Sequence, residues 1–526
     1  MREGFRQAMA WLHTWAGLVF GWLLFAIFLT GTLSYFKAEI THWMQVEAPP
    51  KVADARVSLV EAQRYLNAHA AGASRWFIGL PDERDTTLTV MWQDPGKVGR
   101  GSFVSKVLDP QTGQELNVRD TRGGEFFYRF HFELEMGYPW GRWLATLAAF
   151  VMFVTLITGI ITHKKIFKEF FTFRPRKGQR SWLDGHNAIG VLVLPFHLMI
   201  TYSSLVIFMS MVMPASIMTA YSNDSRAFFS DLFPTFNATP ASGQPGQLGS
   251  LASMYDTLRQ QNPEGRLERV DVQNQGDAAA RVVFVPHGGD RIAHLAGPST
   301  TFDGVTGEVL AQNGRTSTPL LVGSGFYGLH MGHFAGPVLR WLYFLCGLGG
   351  TAMIGTGLVM WLSKRQLKHA KSDVKPFELK LVSWLNLSSM AGLICAMGMF
   401  FWANRLLPVG LEGRSGWEIR TFFLSWLAAT VHAALRSGRS AWIEQLSFAA
   451  ALFCGIPLLN ALTTHHGLLV SVMSGDWRMA GFDLTCLGSG LFLAWSALKV
   501  RNHGLAAASA KPRAARNRVP APTEAR

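Results

Sequence analysis

Long apolar runs alternate along this chain with short basic segments and two long polar ones. The runs are near the ~20 residues that an α-helix needs to cross a bilayer core. Eight spans are predicted, at about 9–36, 143–161, 188–216, 341–363, 381–403, 421–435, 446–463 and 479–498. The sixth and seventh are short for a crossing. The polar segments, about 38–139 and 217–336, each open with a helical pattern, at 58–70 and 248–261. Each then shows the alternation of strands: at 76–80, 86–93 and 102–108 in the first, and at 267–273, 281–286 and 300–302 in the second. Both end in the same kind of turn, Asp109-Pro110-Gln111-Thr112-Gly113 and Asp303-Gly304-Val305-Thr306-Gly307. The Asp initiates the turn, and the Gly accepts a positive φ. The pattern therefore predicts a polytopic α-helical membrane protein with two small α+β modules.

Composition agrees: 49% of the 526 residues are apolar and 16% charged. The formal net charge of +14 would suit a nucleic-acid partner, but the basic residues cluster between apolar runs, which excludes that reading. The four cysteines, Cys346, Cys395, Cys454 and Cys486, all lie inside apolar runs, so neither a disulfide framework nor a CxxC motif exists. The first run is too long for a secretory signal and is read as a retained span.

Lys and Arg fix an orientation. They precede span one, follow span two (Lys164, Lys165, Lys168, Arg174, Arg176, Lys177, Arg180) and follow span four (Lys364, Arg365, Lys368, Lys371, Lys375, Lys380). Arg436 and Arg439 follow span six, and the tail 501–526 is basic. These segments and both termini are expected in the cytoplasm, and the two modules in the periplasm of a bacterium. Arg405, Arg414 and Arg420, between spans five and six, run against the rule.

The pattern is duplicated. Trp11-Leu12-His13 with Gly17 corresponds to Trp182-Leu183, His186 and Gly190, although the Trp-to-His spacing differs by two. Phe127-Tyr128-Arg129-Phe130-His131 corresponds to Phe326-Tyr327-Gly328-Leu329-His330. Arg142-Trp143-Leu144 corresponds to Arg340-Trp341-Leu342, and Thr158-Gly159 to Thr356-Gly357. The core is thus expected to be a tandem parallel repeat: repeat A over 8–165, repeat B over 166–368, then a four-span extension over 376–500 and the tail.

Histidine at a membrane span is costly and usually has work to do. His13 and His186 are equivalent by repeat and sit at the inner ends of spans one and three. His131 and His330 are equivalent and sit toward the outer ends of spans two and four. His163 closes span two, and His197 follows His186 by 11 residues, roughly 16 Å along a helix. A b-type haem needs two axial imidazoles at one depth on different helices. Candidates stand at two levels: His13, His186 and His163 inside; His131 and His330 outside, with His197 deeper. With no CxxCH, any haem is non-covalent.

These residues resemble the PepSY-associated transmembrane-helix family. The resemblance rests on Trp11–Gly17, the two Asp-x-x-Thr-Gly turns, Thr162-His163-Lys164-Lys165, Leu183-Asp184-Gly185-His186-Asn187, Pro195-Phe196-His197 and Leu329-His330-Met331-Gly332, and covers about 8–368. Ser203-Ser204 departs from the small residue and Gly expected there, and the extension from about 376 is an addition. The branch most similar is that of iron-regulated, ferrisiderophore-reductase-like inner-membrane haem proteins. The resemblance implies two haem b groups held by His13, His131, His186 and His330, with His163 and His197 as alternates. It also implies electron transfer to a periplasmic ferric siderophore or other ferric chelate. The inner loops are too short for a dinucleotide domain, so a quinol or a protein is the expected donor. The competing readings are a non-redox accessory protein that uses its modules to bind other proteins, and a component of an iron-chelate transporter.

Overall fold

The computed structural model describes residues 4–94, 102–163, 174, 178–233, 237, 239–293, 295, 299–312, 317–372, 374, 376–436 and 438–509. Most of the basic loop expected after span two, Lys375 and the tail from 510 lie outside them.

Helix α1 (Phe5–Ser34) is followed by the short α2 (Lys37–Met44), then by α3 (Ala55–His69) and strands β1 (Arg75–Gly79), β2 (Leu88–Gln93) and β3 (Phe103–Leu108). The chain returns through α4 (Glu125–Glu133) and α5 (Trp140–Thr162). It turns back through α6 (Gln179–Leu192) and α7 (Leu194–Ile207), and three short helical turns lead to α8 (Leu251–Gln261). Strands β4 (Leu267–Gln273), β5 (Arg281–Pro286), β6 (Thr300–Asp303) and β7 (Val309–Gln312) precede α9 (Thr318–Met331) and α10 (Pro337–Lys368). The remainder is helical: α11 (Phe377–Leu406), α12 (Arg414–Leu435), α13 (Arg439–Thr463) and α14 (Trp477–Ser509).

Among the described residues six helices are long and apolar enough to cross a membrane: α1, α5, α10, α11, α13 and α14. The pair α6 and α7 makes a seventh if taken as one broken span, bent by 68°. The third expected span is therefore not straight. Pro195, in the first turn of α7, has no N–H to continue the helix behind it, and the chain breaks there. The sixth expected span forms as α12 but is not among the long apolar helices. Large apolar side chains such as Val19, Phe150 and Leu345 remain more than half exposed on the outside of the bundle, as a lipid-facing surface requires.

The two polar segments do not form separate sheets. They share one seven-stranded antiparallel sheet in the order β3-β2-β1-β4-β5-β6-β7. The seam is β1 against β4, with Arg75 opposite Gln273, Phe77 opposite Asp271 and Gly79 opposite Arg269. Each half alone would leave an unpaired inner edge, and pairing these two edges removes both. Helices α3 and α8 cover one face. Trp76, Ile78, Val90, Val270, Val282 and Phe284 are buried beneath them with Leu59, Leu66 and Leu251. The two Asp turns are alike: Asp109 Oδ1 accepts from the amides of Gln111 and Thr112, and Asp303 Oδ1 from those of Val305 and Thr306. Gly113 and Gly307 follow at φ +65° and +75°, where a side chain would be strained.

Two of the three arginines that run against the charge rule, Arg405 and Arg414, are explained by burial, whereas Arg420 is exposed. Arg405 lies with its guanidinium 3.6 Å from the centre of the Trp43 ring and donates to Asn460. Arg414 pairs with Glu418 at 2.6 Å, both side chains fully buried. Charges consumed in such contacts are not free cations in a loop.

Candidate functional site: two facing histidine pairs

His13 on α1 faces His186 on α6, with ring centroids 6.4 Å apart and planes at 74°. His131 on α4 faces His330 on α9, with centroids 6.1 Å apart and planes at 36°. His131 and His330 each lie just before a helix end, capped by Leu134 (φ +55°) and Gly332 (φ +65°) in the left-handed region. The two pairs sit at opposite ends of the bundle. His131 is bound to the carbonyl of Ile27, fourteen residues along α1 from His13, which is about 21 Å of helix.

The hydrogen bonds fix which ring nitrogen carries the proton. His13 Nδ1–H donates to the Thr155 carbonyl at 2.9 Å, His186 Nδ1–H to Met353 at 2.8 Å and His131 Nδ1–H to Ile27 at 2.8 Å. A carbonyl oxygen only accepts, so the proton is on Nδ1 and the Nε2 lone pair is free. Ser203 Oγ donates to Ile200 O at 3.1 Å and therefore accepts from His330 Nδ1–H at 2.9 Å. Ile200 follows His186 by the same fourteen residues that separate Ile27 from His13. The departure at Ser203 thus supplies the partner of His330. All four imidazoles are neutral acceptors, and each is oriented from behind in the manner of metal-ligating histidines.

Glycines make room for the rings. A Cβ at Gly31 would lie 2.5 Å from His131 Nδ1. One at Gly159 would lie 3.1 Å from His13 Cε1, and one at Gly357 3.2 Å from His186 Cε1. Thr158 and Thr356 place their hydroxyls 3.5 and 3.4 Å from His13 and His186. The repeated Thr-Gly dipeptides are therefore part of the histidine seats. Gly31 and the three carbonyls are not singled out by the sequence reading, and Ser203 appears there only as a departure from the family pattern. Their one visible trace is the equal spacing of Ile27 and Ile200 from the inner histidines.

His163 and His197 are placed differently: His163 meets Asn187, and His197 packs against phenylalanines. Asn187 Nδ2 donates to His163 Nε2 at 3.2 Å, which occupies the lone pair a metal would need. His197 is fully buried, packed edge-on against Phe28 and Phe196, and neither nitrogen makes a hydrogen bond of good geometry, although the Cys346 carbonyl lies beside it. Its repeat counterpart is Leu24. Replacing His197 with Leu removes an unsatisfied polar group and is expected to leave the two facing pairs, and any haem they hold, unchanged. Loss of a haem equivalent from His197→Leu, measured by pyridine haemochrome, would contradict this placement.

A cavity of about 350 Å³ opens beside the outer pair, lined by His131, His330, Phe28, Met152, Phe196 and Tyr327 among others, with Lys37, Arg84 and Arg142 also in its wall. That volume is within the range of small-molecule sites, roughly 300–1,000 Å³. Arg84 is steered by Glu39, which Arg340 also binds at 2.9 Å. Two residues away, Asp82 accepts from His287 Nε2–H at 2.9 Å and joins the two halves of the sheet module. Burial alone would raise the Asp82 carboxyl, but His287 and the amides of Asp85 and Arg84 hold it down at about 2. A depressed carboxylate stabilises the fold above its unfolded value of 3.8, and that stability is lost as pH falls toward about 2. The loss is on the order of 2 kcal/mol. Thermal melts across this window should show a steeper decline for the unsubstituted protein than for Asp82→Asn.

Among the described residues no cluster of three or more His, Cys, Asp or Glu side chains could hold a bare metal ion. The site fits a different group. Metal–imidazole bonds of about 2 Å on either side of one iron atom would hold two ring centroids about 6 Å apart. Both pairs show that separation.

These features define a polytopic membrane protein with paired histidines at both ends of its helical core. The chain belongs to the PepSY-associated transmembrane family: residues 10–364 match the family described as the PepSY-associated TM region. It is also similar to the uncharacterised protein PA4219 of Pseudomonas aeruginosa, 25% identical over 416 residues, which cover 74% of this chain and 96% of that one.

Proposed function

We propose that this protein carries electrons across the bacterial inner membrane and reduces a ferric chelate, such as a ferric siderophore, on the side of the sheet module. The observation that carries the reading is the facing of two neutral imidazoles, each with its Nε2 lone pair free, at both ends of the helical core. Two such lone pairs gain nothing from each other and attract an electrophile between them. His13 with His186, and His131 with His330, are the residues that would hold two haem b groups. Haem bound there supplies a one-electron couple.

The chain's own contribution is orientation and exclusion of water. Backbone carbonyls and Ser203 fix the tautomers, and glycines set the ring positions. Lys37, Arg84 and Arg142 line the outer cavity, each already paired with a carboxylate of the chain, Glu125, Glu39 and Glu133. Reduction of a ferric chelate weakens the grip of its hard oxygen ligands on iron. The matching histidine seats and Asp turns support a tandem parallel repeat, and α12 completes eight crossings. Lys364, Arg365 and Lys368 at the end of α10 support a cytoplasmic inner pair and a periplasmic sheet. A quinol or a protein is the donor class.

The test is an absorption spectrum of the purified, detergent-solubilised protein. A Soret band, reduced-state α-bands and two haem equivalents are expected. Folded protein that remains colourless after expression with ample haem would return the chain to the accessory or transport readings.

A further inference from the structure

The C-terminal bundle α11–α14 lies beyond the matched stretch, and its packing shows what it touches. The helix that carries His131 turns three phenylalanines, Phe126, Phe127 and Phe130, into that bundle, all of them buried. Phe126 stacks on Phe400 at 4.7 Å and meets Phe422 edge-on at 4.8 Å. Phe127 meets Phe400 and Phe401 at 5.4 and 5.7 Å, and Phe130 meets Phe422 and Trp426.

The strand of chain entering this helix is fastened to the same bundle. Arg119 pairs with Glu47 and donates to the Asn404 carbonyl. Arg414 donates to the Asp120 carbonyl, and Ser415 donates to the Asp120 carboxylate. Thr121 Oγ1 donates to Glu418 at 2.5 Å while accepting from the amide of Gly123. Fully buried charges such as Arg414 and Glu418 are poor sources of stability and good fixers of geometry. The opposing helix, α9, is seated otherwise: Gly328 rests on the Ile292 carbonyl of the sheet module, and Leu321 and Val322 stay half-exposed. Both histidine helices rest on the helical core, His131 against α1 and His330 against α7, but only the first is also backed by the C-terminal bundle, whereas the second touches the sheet module.

We propose that the outer end of the C-terminal bundle, around Phe400, Phe422 and Glu418, is a positioning element for His131, setting the outer histidine pair without bearing on the inner one. This rests on the reading of both pairs as haem ligands. The experiment uses the full chain in two single-haem backgrounds: His13→Ala, which keeps the outer haem, and His330→Ala, which keeps the inner one. In the first, Phe400→Ala should shift the midpoint potential and the low-temperature α-band, or lose the haem, and Phe400→Leu should restore much of the change. In the second, the same substitution should move neither readout. Thr121→Val, which cuts the hydrogen bond between the entering strand and Glu418 without opening a cavity, gives the same contrast if Phe400→Ala does not fold. Equal shifts in both backgrounds, or none in the first, overturn the proposal while leaving the haem reading intact. Absence of haem from the unsubstituted protein overturns both.

Discussion

Replacing His330 with alanine is expected to halve the haem content of the purified protein, and replacing His13 is expected to remove the other half. The two pairs share no residue, and their seats lie about 21 Å apart along α1. Each should therefore empty independently, with the spectrum of the remaining haem preserved. The double variant should be colourless yet still inserted, since removing two neutral imidazoles from a helical core costs little packing compared with the many apolar contacts retained. Haem quantitation on the two single variants and the double decides it. Stoichiometric haem retained in both single variants would reject the ligand set.

The second large effect comes from a residue with no side chain. Gly31→Ala would place a methyl carbon 2.5 Å from His131 Nδ1, in the space between the ring and α1. The ring must swing away and lose its bond to the Ile27 carbonyl, so the outer haem should be lost almost as fully as in His131→Ala. Overpacking of this kind costs about 1–3 kcal/mol. Alanine also raises helix propensity by about 1 kcal/mol, so α1 itself should be no weaker. Gly159→Ala is the graded companion. Its Cβ would stand 3.1 Å from His13 Cε1, a contact that a few tenths of an ångström relieve, so the inner haem should be weakened rather than lost. If Gly31→Ala binds two haems with unchanged spectra, the seat described around His131 is wrong.

Much of this architecture is legible in the sequence because it is local. Apolar runs mark α1, α5, α10 and α11 to within about five residues, while α13 starts earlier and α14 ends later than the runs predict, and alternation marks β2, β3, β4 and β5. The duplicated anchors put His13, His186 and His163 at one level and His131 and His330 at another with His197 deeper, leaving the pairing open; the structure brings His13 to His186 and His131 to His330. What escapes the sequence is non-local. Nothing in the alternation of 76–80 or 267–273 says that β1 and β4 will pair with each other, because either could have stayed an edge. The bend between α6 and α7 is hinted at by Pro195, yet proline inside membrane helices often produces no more than a kink. Gly31 reads as one glycine in an apolar run, and its purpose emerges only when His131 arrives from a hundred residues away. Arg405 and Arg414 mislead a charge count because burial is invisible to counting.

The seam between β1 and β4 also decides how the molecule can move. Carriers that admit cargo alternately from two sides must let one half rock against the other. Here five consecutive residues of one half are paired backbone to backbone with the other, in the sheet module. A hinge at the midline would have to unzip that ladder in every cycle. The frame is built to stay still, which favours the proposed passage of electrons over the passage of cargo.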